Sequence, residues 1–204
     1  MPTDDDILDV ATRAFAEKGF DGARIDDIAH RAGVNKATLY YRIGGKDALY
    51  ARAMERILGP KIARAERALV EIPDVEARLR LLARLLVDGA DHEHASRFAA
   101  IMLREIAAGA STLPDTALAL MGRFLAAIER TVAEGVAQGI FRPINPFLAH
   151  MALVGSGMLY AVNEPVRRRI ADIAPGQSKD HMFLSPEDAA RQVADMLLNG
   201  IRKP

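Results

Sequence analysis

"RAGVNKATLYYRIGGK", residues 31–46, places Arg31, Lys36, Arg42 and Lys46 beside two adjacent tyrosines on a run without a carboxylate. The whole chain balances 27 basic against 27 acidic residues over 204 positions. It carries no net charge, so any affinity for a polyanion has to arise from local patterning. Upstream of Gly33, the spacing of Ile25, Ile28, Ala29 and Ala32 predicts a short helix, and the glycine permits the chain to turn out of it. Downstream, Asn35 is a good cap for a second short helix running through about Tyr41. Two short helices joined by "AGVN" make a helix-turn-helix, with Val34 plugging the space between them and Leu39 anchoring the second to the first.

That arrangement leaves Lys36, Ala37, Thr38, Tyr40 and Tyr41 facing outward or partly so. A helix of this kind fits the DNA major groove with its amino-terminal end nearest the base edges. Asn35 and Lys36 hold that end and are placed to read bases. Thr38 offers a hydroxyl to base or phosphate and a methyl to thymine, while tyrosine hydroxyls reach phosphate oxygens. Lys46 opens the next helix and adds a charge beside free backbone donors. A duplex repels carboxylates and rewards cations by counterion release, so Asp26, Asp27 and Asp47 fall just outside the window. A glycine-turned helix pair alone fits two packed helices with solvated lysines equally well; the tyrosines and the acid-free window favour DNA.

Outward from this stretch the chain reads as all-α, with about nine helices. No segment sustains period-two alternation, and apolar residues recur at three and four. Thr3 caps the first helix with Asp6 at its third position, and Gly19 ends it. Gly59-Pro60 is expected to end or kink the helix that starts near Lys46. Residues 75–91 are strongly amphipathic, and "EPVRRRIADIAPGQSKDHMF" reads mainly as connection. Ser185, Pro186 and Asp188 open the last helix. There is no cysteine, which excludes disulfides and thiol chemistry. The acidic start is no secretory signal, and "PFLAHMALVGSGMLYAV" falls short of a membrane span, so a cytoplasmic chain without membrane contact is expected.

"ILDVATRAFAEKGFDGARIDDIAHRAGVNKATLYYRIGGKDALY", residues 7–50, resembles the amino-terminal domain of the tetracycline-repressor (TetR/AcrR) family of bacterial transcription regulators. Phe15, Gly19, Ile28, Ala29, Gly33, Val34 and Leu39 match the family's structural positions; Lys36, Thr38, Tyr40, Tyr41 and Lys46 match its usual DNA contacts. The resemblance implies a DNA-binding domain over 1–48 and a helical effector-binding and dimerisation domain over 49–204. It also implies a homodimer on a palindromic double-stranded operator, released by a small-molecule effector, acting as a repressor. Three positions depart. Ala23-Arg24 stands where a threonine or serine usually caps the second helix, leaving Arg24 for phosphate. Arg42-Ile43 replaces histidine-phenylalanine, with Arg42 a backbone contact. Gly44-Gly45 replaces stiffer residues, which would loosen the recognition helix.

For dimerisation, the helix over 146–162 is apolar nearly all round and needs partners on more than one side. The expected interface is His150, Gly155 and Gly157 there, with Ala190, Val193, Ala194, Leu197 and Ile201 of the last helix. Candidate pocket residues are Phe98, Met102, Met121, Phe124, Met151 and Met158, whose side chains suit an adaptable cavity, although ordinary core is the commoner use. Glu105 shares a face with Phe98 and Met102; it would meet a cationic ligand or, preferably, pair with an arginine. "DHEH" at 91–94 and the Arg167-Arg168-Arg169 run read as solvated, not as a metal site or a second nucleic-acid patch. No cofactor, metal or enzymatic chemistry is expected. The rival reading is a helical carrier or interaction module without operator binding.

Overall fold

The computed structural model describes residues 1–86, 92–173 and 182–203, with the backbone only at 92–94. The "DHEH" run therefore lies outside the described side chains. Among the described residues ten helices form: α1 (Asp4–Gly22), α2 (Ile25–Arg31), α3 (Lys36–Arg42), α4 (Lys46–Glu71), α5 (Val75–Leu86), α6 (His92–Ala107), α7 (Asp115–Ala137), α8 (Pro146–Val162), α9 (Glu164–Ile173) and α10 (Pro186–Ile201). Among the described residues there is no strand, only a single antiparallel bridge between Phe141 and Arg202.

Local signals set the helix starts. The Thr3 hydroxyl accepts from the Asp6 N–H at 3.1 Å while Asp6 accepts from the Thr3 N–H at 2.7 Å, closing the capping box. Ser185 does the same work for α10, accepting from the Asp188 N–H at 3.0 Å with Pro186 at the first position. Asn145 caps α8 through the Phe147 N–H at 2.9 Å.

Of the two outcomes allowed at Gly59-Pro60, an end or a kink, the helix does not end there: α4 runs on to Glu71, with Ile57, Leu58, Ile62, Ala65 and Ala68 buried along it. Burial of that stripe outweighs the one lost hydrogen bond. The segment after Glu164 is not mainly connection, since α9 runs from Glu164 to Ile173. Its arginine run concealed the pattern. Residues 174–181 lie outside the description.

The chain divides into two compact units, Met1–Pro60 with Arg97–Gly122 and Lys61–Ser96 with Arg123–Pro204. In the first, Ile7, Phe15, Ile28, Leu39, Leu49 and Met54 are fully covered. The Phe15 and Tyr50 rings meet at 4.7 Å, and Phe20 lies 5.1 Å from Tyr50. Each such large side chain contributes roughly 1.5–3 kcal/mol by leaving water. The Tyr50 hydroxyl donates to Glu105 Oε1 at 2.9 Å, and Thr112 donates to the same oxygen at 2.5 Å. Glu105 thus pairs with two hydroxyls rather than an arginine, and burial pushes the Tyr50 phenol well up.

In the second unit α8 and α10 pack on α5 and on each other. Buried Arg78 holds the Ile72 carbonyl at 2.9 Å and Glu134 at 2.6 Å, tying α5 to α7. Arg80 pairs with Asp195 and Arg202 with Glu76. Of the residues expected at a dimer interface, Gly157, Ala190, Ala194 and Ile201 are turned inward and covered by their own subunit. Gly157, Ala190 and Ala194 lie on the inward faces of α8 and α10, which pack with α5. His150, Gly155, Val193 and Leu197 are half-buried. The large apolar side chains exposed on α8 are Phe147, Leu148, Met151 and Leu159, with Met196 exposed on α10. His150 stacks on Phe147 at 6.1 Å, and its burial pushes the imidazole below its ordinary value despite the nearby Glu129.

Candidate nucleic-acid interface

The turn between α2 and α3 follows from four residues. Gly33 adopts φ +68°, so its N–H reaches the His30 carbonyl at 3.1 Å and the Val34 N–H reaches Ala29 at 3.0 Å. This pair of bonds is the Schellman stop, and it redirects the chain into α3. The Asn35 side chain accepts from the Thr38 N–H at 2.7 Å, so its oxygen caps α3 and only its amide NH₂ is left to meet a base. Leu39 is fully buried beneath the helix.

The opposite face of α3 is open. Asn35, Lys36 and Ala37 are exposed, Thr38 is half-buried, and Tyr40 and Tyr41 are 47% and 92% exposed. The Tyr41 ring and about half of the Tyr40 ring are therefore open to a partner. Arg24 is exposed at the head of α2, where no side chain caps the helix.

The cations differ from the expectation of a bare positive window. Lys36 lies 2.9 Å from Asp26, whose carboxylate raises the lysine above its usual range. Arg31 meets Glu17 at 3.1 Å. Lys46 donates to the Asp21 carbonyl at 3.1 Å and sits 4.7 Å from the Phe20 ring centre. Folding thus lays Glu17 of α1 and the flanking Asp26 of α2 against a run that has no carboxylate of its own. Such exposed pairs add little stability, so a phosphate can take the place of the carboxylate.

Arg42 is turned away from solvent, with its Nε donating to Asp4 and its NH1 to the Pro2 carbonyl, both at 2.8 Å. Arg52 of α4 holds the Arg42 carbonyl at the end of α3 and also Asp4, each at 3.1 Å. The two guanidiniums, Arg42 foremost, hold the Asp4 carboxyl below its usual value. This clamp fixes α3 to α1 and α4. It includes Asp4 and Arg52, which no local signal marks, and it limits the looseness that Gly44-Gly45 suggests.

Of the candidate pocket residues, Phe98, Met102, Glu105 and Met121 belong to the first unit, and Phe124, Met151 and Met158 to the second. Met102, Glu105 and Phe124 are buried, whereas Met151 is largely exposed. A cavity of about 250 Å³ opens elsewhere in the second unit, and none of these side chains lines it. Among the described residues no group of three side chains could hold a metal, and no helix is long and apolar enough to cross a membrane.

Residues 7–53 match the model of the bacterial regulatory proteins of the tetR family. The HTH-type transcriptional regulator RutR of Escherichia coli is 28% identical over 199 residues, spanning 96% of this chain and 89% of the relative. The HTH-type transcriptional repressor NicS of Pseudomonas putida is 26% identical over 208 residues, 98% of this chain and 93% of its own length. The crystal structure of PfmR from Thermus thermophilus, a TetR-family transcriptional regulator, superposes with a TM-score of 0.71 over 97% of this chain and 99% of that one, at 26% identity.

Proposed function

We propose that the chain, whose residues 7–53 match the tetR family of bacterial regulatory proteins, is an effector-responsive repressor that binds a palindromic operator as a homodimer. The observation that carries the reading is the exposed amino-terminal half of α3, held rigidly from behind. Asn35, Lys36, Ala37 and Thr38 reach base edges, and Tyr40, Tyr41, Arg24 and Lys46 reach phosphates. Arg42 acts behind them as part of the clamp. Its guanidinium is committed to Asp4 and Pro2.

The exposed apolar face of α8 supports a symmetric pair of subunits, since Phe147, Leu148, Met151 and Leu159 each leave about half or more of the side chain in water there. Two copies of α3 then enter successive major grooves, and half-sites repeat after about 34–36 Å of duplex. An effector that prefers a conformer with wrongly spaced readers weakens DNA binding, and DNA weakens effector binding by the same factor.

Selection from a random duplex pool, followed by anisotropy titration over a salt series, tests this. Palindromic sequences should emerge, bound with a steep inverse dependence on salt. A pool that yields no enriched sequence, with duplex binding absent at low salt, would favour the carrier reading.

A further inference from the structure

We propose that the cavity among α8, α9 and α10 is a binding site for a small amphipathic carboxylate, with the Arg167 guanidinium as its anion anchor. This rests on the reading of the chain as effector-responsive and names the chemical class of the effector.

The cavity, of about 250 Å³, is lined by Leu153, Gly157, Tyr160, Asn163, Arg167 and Val193 together with small residues of α5 and α10. Gly157 and Ala190 leave it unfilled where larger side chains would close the gap between α8 and α10. Its walls are apolar apart from Ser156, Asn163 and Arg167. Drug-sized sites run to about 300–1,000 Å³, so the occupant is smaller, a short chain or a single ring.

Arg167 supplies the specificity. Its NH1 donates to the Tyr160 carbonyl at 2.7 Å, and its guanidinium carbon lies 4.1 Å from the Tyr160 ring centre. Its Nε is buried without a hydrogen-bond partner. Among the described residues no carboxylate pairs with it, while Glu164, one turn earlier on α9, holds Arg168. The Tyr160 hydroxyl is committed, donating to the Leu184 carbonyl at 2.5 Å and accepting the Leu184 N–H at 2.9 Å, so the ring is a fixed wall. A half-covered guanidinium on an aromatic face, short of an anion, is what a planar carboxylate completes. The apolar tail then fills the space beside Leu153 and Val193. A neutral ligand would leave the cation uncompensated, and a cationic one would be repelled.

The test uses the full chain and octanoate, octanamide and octylamine as probes at constant ionic strength. Calorimetry should find saturable octanoate binding, one per chain, with the Leu153 and Val193 methyl resonances shifting. Octanamide should bind at least about tenfold more weakly and octylamine not at all. Arg167→Gln should lose at least about tenfold for octanoate. Because Arg167 also packs on Tyr160, Val193→Phe serves as the second variant; it fills the cavity, leaves the guanidinium intact, and should abolish binding. The site is overturned if octanoate leaves those methyls unshifted, as it would were a second copy seated there, or if octanamide or Arg167→Gln matches the parent values. Duplex binding without ligand is measured separately. If octanoate binds as described but no duplex does, the site stands and the regulatory reading falls.

Discussion

The Lys36 ammonium lies 2.9 Å from the Asp26 carboxylate, joining the recognition helix to the helix before it. Both side chains are more than half exposed, at 56% and 64%, so the pair adds little stability and a DNA phosphate competes with it directly. Asp26→Asn frees the lysine and removes a charge that a duplex repels. We expect severalfold tighter binding on all sequences, with a salt dependence steeper by up to about one unit. Lys36→Ala should relax sequence preference. Anisotropy titrations that show neither change would mean that this end of α3 does not face DNA.

That pair also marks where sequence reading stops. Thr3 with Asp6, Asn35 with Thr38, and Ser185 with Asp188 are legible because each partner lies three residues away and obeys helix geometry. Gly33 is legible because the turn leaves few alternatives. The Arg42–Asp4 bond spans 38 residues, and no periodicity announces it. The acid-free window looked bare, while folding lays Glu17 of α1 and the flanking Asp26 of α2 against it. The cavity near Arg167 was hidden because an arginine run reads as a solvated face and small residues read as interface.

Asp4 sits between Arg42 and Arg52, so Asp4→Ala should loosen α3 without touching its exposed surface. Specific duplex affinity is expected to fall more than nonspecific affinity, which a comparison of selected and scrambled duplexes measures. Both guanidiniums lower the carboxyl of Asp4 in the folded chain. Its stabilisation is therefore present above the ordinary value of 3.8 and is lost as the pH falls below it. Urea unfolding of parent and variant should converge in acid.

Gly44 has φ +105°, and a Cβ there would sit 2.9 Å from the Ala48 Cβ. Gly44→Ala should cost about 1–2 kcal/mol from conformation alone, with the contact adding to it. At Gly45 the nearest atom to an added Cβ is Tyr40 Cε1 at 3.7 Å, an ordinary contact. Gly45→Ala should therefore be neutral or slightly stabilising. Equal urea midpoints for the two variants would contradict this assignment of their roles.

The Tyr50 hydroxyl supports the buried Glu105 carboxylate, and Tyr50→Phe should lower stability at neutral pH by about 1–3 kcal/mol. The folded protein holds the phenol above its ordinary value of 10.0. The stabilisation is complete below that pH and declines as the pH rises past it. The deficit of Tyr50→Phe relative to the parent should accordingly narrow in alkali. A deficit that stays constant past the tyrosine range would show that the hydroxyl contributes packing rather than a proton-linked bond.

Leu148 is 60% exposed and Met151 49%, so a charge at either position costs the isolated subunit almost nothing. Gly155, further along α8, has no atom within 4 Å of where a Cβ would stand. In a dimer packed through this face, those positions become covered. Leu148→Arg brings two like charges together near the symmetry axis, and burial of unpaired charge opposes association. We expect sedimentation to show parent dimers and Leu148→Arg monomers, with unchanged helical circular dichroism. Specific DNA affinity should fall steeply in the monomer because one half-site is lost, whereas affinity for a single half-site should persist. A variant that remains dimeric would move the interface off this face of α8, and with it the expected spacing of the two recognition helices.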